Sequence, residues 1–323
     1  MKTLNKLLKK EQPSSVCLVT SPALAKKLSW AIKEIKVTAT SRPIKIVLLP
    51  DGEKAKEWHE LEGLLKKFTA LNLDRDSIVI AFGGGTIGDI VGFAAGIYLR
   101  GIKYVQVPTT LVAQVDSAHG GKTGVNFLNY KNQIGCLHLP IATSIDHRFL
   151  KSLNKEHLID GLGEIINAGY IKHPLFLKLL REKSLNLPKI VDKAIKVKQY
   201  YVSRDFKDGA DRQTLNVGHT FGHAVELRHK ISHGKAVIVG MLQEFAYTES
   251  LGLTLPSVRE NLISLLEKLD INIDAGLKAD WQAVLHDKKV AGAKIAFPVV
   301  EKIGKAKLYM FDLQAIKKWL VDF

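Results

Sequence analysis

The chain has 323 residues, 46% hydrophobic and 24% charged, a balance that supports a buried core and excludes disorder or a fibrous repeat. Lys and Arg number 47 against 32 Asp and Glu, a formal charge of +15. Two cysteines, Cys17 and Cys136, are too few for a disulfide framework or a cysteine-built zinc module, so a reducing cytoplasm is expected.

Residues 1–10 are basic and 16–25 apolar, which imitates a secretory leader, but Pro22 interrupts a run already short for one. The first half then alternates β-branched runs at 15–20, 44–49, 77–82 and 104–107 with helical patterns at 53–71 and 87–99, which predicts a parallel sheet covered by helices. The most lipid-like stretch, 78–99, carries Asp89 at its centre and several glycines, so no membrane partner is expected. After about residue 150 strand signals fade, and amphipathic patterns fill 155–248, 257–269 and the C-terminus. The expected fold is an α/β N-terminal nucleotide-binding domain with a parallel sheet over residues 1–150. An all-α C-terminal domain follows over 151–323, packed closely enough on the first to leave a cleft. The positive charge lies in Lys-rich stretches such as 178–198, as solvated helix faces or as a field for an anionic metabolite. No aromatic-interleaved basic motif accompanies it, so no nucleic-acid partner is expected.

Three motifs carry chemistry. Gly83-Gly-Gly-Thr-Ile-Gly88-Asp89 satisfies G-x-G-x-x-G at a strand-to-helix junction, where backbone N–H groups can meet a pyrophosphate. No acidic ribose anchor follows in 105–110, which argues against an ordinary dinucleotide-binding dehydrogenase. Gly120-Gly-Lys-Thr123 is not a P-loop, because Asp116 stands where its first glycine belongs, yet Lys122 can still meet a phosphate. His219 and His223 stand four apart on one helical face, with His233 ten residues beyond, a donor set that could hold a divalent cation. Glu164, on an otherwise apolar helix, could add a carboxylate or merely satisfy a helix N-terminus.

Taken together, these blocks resemble the 3-dehydroquinate synthase family of the sugar-phosphate cyclase group, over roughly residues 49–306. Carrying the resemblance are Pro50-Asp-Gly-Glu53-Lys-Ala-Lys56, the glycine loop, Tyr98-Leu-Arg-Gly101, Val107-Pro-Thr-Thr-Leu111, Gln114-Val-Asp-Ser117, Gly120 to Asn126, Lys131-Asn132, Arg212, the 215–223 histidine segment, His233-Gly and Asp287-Lys-Lys289. The resemblance implies a nucleotide-binding domain followed by a helical one, NAD, and a divalent metal, usually zinc with cobalt as the alternative. It implies metal ligands Glu164, His219 and His233, with His223 free near the leaving phosphate. NAD contacts would fall on Glu53, Lys56, Gly83, Gly84, Gly85, Gly88, Asp89, Thr109, Thr110, Lys131, Phe149 and Leu150. Substrate contacts would fall on Asp116, Lys122, Asn132, Lys198, Arg212, Asn216, His223, Lys288 and Lys289, with Arg100 reaching in from the second copy of a homodimer.

The implied reaction converts a seven-carbon keto-sugar acid phosphate, 3-deoxy-arabino-heptulosonate 7-phosphate, to 3-dehydroquinate and phosphate in the shikimate pathway. A ring hydroxyl is oxidised by NAD, phosphate is eliminated, the ketone is reduced again, and the opened ring closes by an aldol step. Arg212 suits the carboxylate through its planar fork, and the lysines suit the phosphate.

Some positions depart from the family pattern. Asn167 stands where the metal helix usually carries a lysine that touches substrate hydroxyls, Lys235 replaces an acid after His233-Gly, and His119 replaces an aliphatic residue. Lys235 is expected to point outward. The family's N-terminal strand pair is missing, and Ser21 stands where an acid often meets the adenosine ribose, which keeps NADP as an alternative to the favoured NAD. The competing readings are a related cyclase with another sugar phosphate, a metal-dependent alcohol dehydrogenase, and a degenerate non-catalytic homologue.

Overall fold

A computed structural model describes residues 1–38, 43–128, 130–274, 276–285 and 289–322, which form two compact units, Met1–Leu153 and Asn154–Phe323. In the first, five strands form one all-parallel sheet: β1 (Val16–Thr20), β2 (Lys45–Leu48), β3 (Ile78–Gly83), β4 (Lys103–Pro108) and β7 (Ala142–Thr143), in the order β2-β1-β3-β4-β7. The central strands β1, β3 and β4 are buried on both faces and read as nearly continuous apolar runs, as central parallel strands must, while the edge strand β2 is partly exposed. Successive residues therefore feed opposite cores. Cys17, Val19, Val79, Ala81 and Tyr104 face the helices Trp58–Ala70 and Gly85–Ile97, while Val16, Leu18, Ile78, Ile80, Phe82 and Val105 face the helices Lys2–Glu11 and Ser29–Thr38.

The segment that imitates a leader is accordingly β1 plus the helix Pro22–Lys27, which Pro22 starts with a φ already suited to its first turn. Where the family's strand pair is missing, the chain has the helix Lys2–Glu11, whose Leu4 and Leu8 are fully buried. The helix expected over 53–71 is two elements, a 3-10 turn Gly52–Lys56 and the helix Trp58–Ala70, separated by the extended backbone of Glu57. A hairpin of β5 (Lys122–Phe127) and β6 (Tyr130–Leu137), unexpected from the sequence, packs on the helix Gly85–Ile97.

From β1 the sheet grows to β2 on one side and β3 on the other. The carboxyl ends of β1 and β3 thus form the topological switch point at which open α/β sheets bind ligands. The glycine loop lies at the end of β3.

The second unit is mostly helical but not all-α, which corrects the expectation. β8 (Val290–Ala291), β9 (Lys294–Lys302) and β10 (Lys305–Asp312) form an antiparallel sheet in the order β10-β9-β8. Pro298 in the middle of β9 argues against a central strand by the usual rule, and this hid the sheet. The sheet gives Phe297 and Phe311, stacked 4.3 Å apart, to a core shared with Phe221 and Val225 of the helix His219–His229 and Tyr247 of the helix His233–Ser250. No helix among the described residues is long and apolar enough to cross a membrane.

Candidate active site

In the second unit three helices meet through glycine. A Cβ at Gly240 would overlap the Gly218 carbonyl oxygen, and one at Gly163 would stand 2.7 Å from the Gly234 carbonyl oxygen. These contacts require bare backbone. Each lies beside a polar group of the site: Gly163 precedes Glu164, Gly218 precedes His219 and Gly234 follows His233. Close backbone approach therefore places the side chains of Lys155–Ile171, His219–His229 and His233–Ser250 at one point.

That point is the Glu164 carboxylate. Its Oε1 lies 3.1 Å from His233 Nε2 and 3.5 Å from His219 Nε2. Ligand atoms of His219, His223 and His233 all lie within 4.8 Å of one another. Glu164 stands in the middle of its helix with its side chain 10% exposed, so it is not a charge placed to satisfy a helix N-terminus. Two of the rings are tied off on the far side: His219 Nδ1 donates to the Val217 carbonyl at 3.1 Å, and His233 Nδ1 pairs with Glu226 Oε2 at 3.0 Å. Such partners fix the direction of each ring and turn its Nε2 toward the Glu164 carboxylate.

The charges follow from these contacts. Burial opposes ionisation of Glu164, but its contacts with His219 and His233 hold its carboxyl well below the usual range. Burial alone would push His233 down; its bonds to Glu164 and Glu226 carry it up to about 10. His223 is pushed down, first by loss of hydration around its nitrogens and then by His219, His233 and Lys289.

Supporting groups lie behind. Glu244, 1% exposed, accepts from the Gly218 N–H at 2.6 Å and the Thr220 N–H at 3.1 Å, which anchors the first turn of the His219 helix, while burial pushes its carboxyl up to about 7. Lys289 Nζ donates to Thr220 Oγ1. Arg212 is buried, its Nη1 donating to the Phe206 carbonyl at 2.9 Å and its Nε 3.9 Å from Asp208 Oδ1. Asn216 ends the 3-10 turn that holds Arg212, and Lys198 is half-buried on the helix Leu187–Arg204. Lys235 Nζ sits 4.0 Å from the exposed Glu156, the outward direction expected. Asp287 and Lys288 lie outside the described residues.

The first unit carries a second cluster. Gly83 closes β3, and Gly84 caps the helix Gly85–Ile97, which presents its N-terminal N–H groups and includes Gly88 and Asp89. Lys56, buried, donates to Asp89 Oδ2 at 2.8 Å and to Asn132 Oδ1. Burial pushes the Asp89 carboxyl up against the pull of Lys56. Glu53 accepts from Asn126 Nδ2 at 2.9 Å and from the Thr86 hydroxyl at 3.3 Å, and Asn126 Oδ1 accepts from the Asn132 N–H at 3.0 Å. Glu53, Lys56, Asp89 and Asn132 thus form one network bridged by Asn126.

Thr109 follows β4 and Thr110 caps the helix Leu111–Val115 through Oγ1. The buried hydroxyls of Thr20, Thr109 and Ser144, at the carboxyl ends of β1, β4 and β7, have no hydrogen-bond partner among the described residues. Buried polar groups are normally satisfied, so this edge is chemically suited to a polar ligand. Asp116 ends the helix Leu111–Val115, Lys122 opens β5, and Lys131 lies on exposed β6. Arg100 sits on an exposed turn in which Leu99, Arg100 and Gly101 all have positive φ (50°, 63° and 116°), strain of the kind kept at functional sites. The Phe149 ring is packed between Trp30 and Phe82 and Leu150 is also buried, so these side chains serve the core, while the Phe149 N–H bonds the Asp146 carbonyl and its carbonyl accepts from Ser152 Oγ.

Reading the sequence missed Asn126, Glu226 and Glu244 as supporting groups. Asn126 and Glu226 close motifs that were already visible, and Glu226, seven residues after His219, shares its helical face. Nothing in the sequence marks Glu244.

Residues 46–160 match the family described as 3-dehydroquinate synthase N-terminal, and residues 161–290 that described as 3-dehydroquinate synthase C-terminal. The chain belongs to the 3-dehydroquinate synthase family. A curated relative, the 3-dehydroquinate synthase of Dictyoglomus turgidum, is 37% identical over 322 residues, covering 94% of this chain and 88% of the relative. Among solved structures, 2-epi-5-epi-valiolone synthase from Streptomyces hygroscopicus with NAD+ and Zn2+ bound has a TM-score of 0.86 at 23% identity, over 97% of this chain and 91% of that one. A 2-deoxy-scyllo-inosose synthase complexed with carbaglucose-6-phosphate, NAD+ and Co2+ has a TM-score of 0.84 at 22% identity, over 99% and 94%. At such identities these two share the family's fold.

Proposed function

We propose that the chain is a 3-dehydroquinate synthase of the shikimate pathway, a phosphate-eliminating lyase that uses NAD and a divalent cation and works in the cytoplasm as a homodimer. The observation that carries this reading is the convergence of His219 Nε2 and His233 Nε2 on Glu164 Oε1. The donor set fits a cation: two imidazoles with oriented tautomers and one carboxylate, the complement of a site that keeps a position open for substrate. Zinc is the first choice, with cobalt able to replace it.

The carboxyl edge of the parallel sheet fits the dinucleotide. Helix N–H groups behind Gly84 and Gly85 suit its pyrophosphate, and the orphaned Thr109 hydroxyl and the Glu53–Asn126 pair supply polar partners. When bound, NAD supplies a reversible hydride acceptor and the cation a Lewis acid that lowers the pKa of the hydroxyl to be oxidised.

The chain's own residues do the rest. Arg212, held by the Phe206 carbonyl, would meet the substrate carboxylate, and Asp116 and Asn216 are the ring-hydroxyl contacts that the family resemblance implies. By the family resemblance, Lys122, Asn132, Lys198, Lys288 and Lys289 are the residues that would contact the phosphate. His223, exposed beside His219 and His233, offers a nitrogen lone pair that can take up a proton as phosphate leaves. Arg100 on its strained turn completes the site of a second copy. Because the hydride taken up in the first step returns in the third, net redox is zero.

Purified protein given the heptulosonate phosphate, NAD and zinc should release one phosphate per carbocyclic product with no accumulation of NADH. Stoichiometric NADH would indicate an alcohol dehydrogenase instead, and release only from another sugar phosphate would indicate a different cyclase.

A further inference from the structure

Asn167 lies one turn after Glu164 on the helix Lys155–Ile171 and is 1% exposed. Its Nδ2 donates to the Leu215 carbonyl at 3.0 Å and to the Val217 carbonyl at 3.0 Å. The opposite amide orientation would turn an oxygen toward two carbonyl oxygens, so the donors decide it. The Val217 carbonyl is also the acceptor for His219 Nδ1, and Asn216 stands between the two carbonyls that Asn167 holds. Asn167 Oδ1 is buried without a partner among the described residues. Both N–H groups are committed to backbone carbonyls and the oxygen is closed to solvent, so no donor is left for a substrate. The donors of Asn167 reach only backbone.

We propose that Asn167 is a positioning residue that fixes the 215–217 backbone, and through the Val217 carbonyl sets the tautomer and direction of the His219 imidazole. The proposal rests on the cation site argued above. Outer partners of this kind are worth about 10- to 100-fold in metal affinity.

Asn167→Asp is nearly isosteric but replaces both donors with an acceptor facing two carbonyls. Asn167→Ala removes the donors without repulsion and serves as the milder variant should the first fail to fold. Metal-free protein is titrated with Co2+ and followed by visible absorption. The dissociation constant should rise about 10- to 100-fold in either variant, with altered absorption bands. A merely structural role would lower Tm and leave the Co2+ affinity unchanged. Long-range 1H–15N correlation spectra of the metal-free protein should show His219 protonated at Nδ1 in the wild type and redistributed between tautomers in the variants. Unchanged Co2+ affinity together with an unchanged His219 tautomer overturns the proposal, and a raised KM in the same variant would then put Asn167 on the substrate. If the wild type takes up no Co2+, the cation site itself fails. In that case the tautomer spectra decide alone, with a shift supporting the positioning role and no shift refuting it.

Discussion

His219 and His223 occupy the same face of one helix but differ in what holds them. The His219 ring is nearly buried, with Nδ1 bound to a carbonyl and Nε2 aimed at Glu164. The His223 ring is exposed and no hydrogen bond to it is seen among the described residues. The first is built as a ligand, the second as a group that exchanges a proton with something passing through. His219→Ala should therefore lose the metal, read by elemental analysis of purified protein, whereas His223→Ala should keep it and lose turnover. Retention in the first variant or loss in the second would overturn the assignment. Spacing alone could not separate the two histidines, because i and i+4 positions look alike in a sequence. The difference lies in partners from elsewhere: Glu164 is 55 positions before His219, and Glu226 acts on His233 from the neighbouring helix.

The helices of the second unit approach by glycine rather than by interlocked side chains. Gly240→Ala would place a methyl group inside the Gly218 carbonyl oxygen, and neither backbone can retreat without moving the first turn of the His219 helix. Overpacking of this kind costs about 1–3 kcal/mol or more. The variant should show a lower Tm and weaker metal uptake together; a Tm equal to that of wild type would show that the backbone yields freely there. At this scale the parallel sheet was legible, because buried parallel strands are short apolar runs followed by helices, and the glycine loop marks the end of β3. The β5–β6 hairpin was not, since Gly124, Gly135 and alternating polar residues hide its strands. The C-terminal sheet was hidden by Pro298 and by lysines on its exposed face. Both are cases in which tertiary packing supplies what local preference withholds.

Over the whole molecule the chemistry is divided. The Met1–Leu153 unit offers orphaned hydroxyls and helix N–H groups at a sheet edge, suited to a dinucleotide, and the Asn154–Phe323 unit offers one carboxylate and three imidazoles within reach of a single cation. A sequence can show that both motifs exist, and here it did, because catalytic residue types sit in short blocks. It cannot show that 69 positions separate two groups 3.1 Å apart, as with Glu164 and His233. That convergence carries the functional argument, and diffraction at the zinc absorption edge tests it most directly. Zinc-loaded crystals should give one anomalous peak shared by Glu164, His219 and His233. A peak elsewhere, or none at the Glu164 carboxylate, would contradict the account.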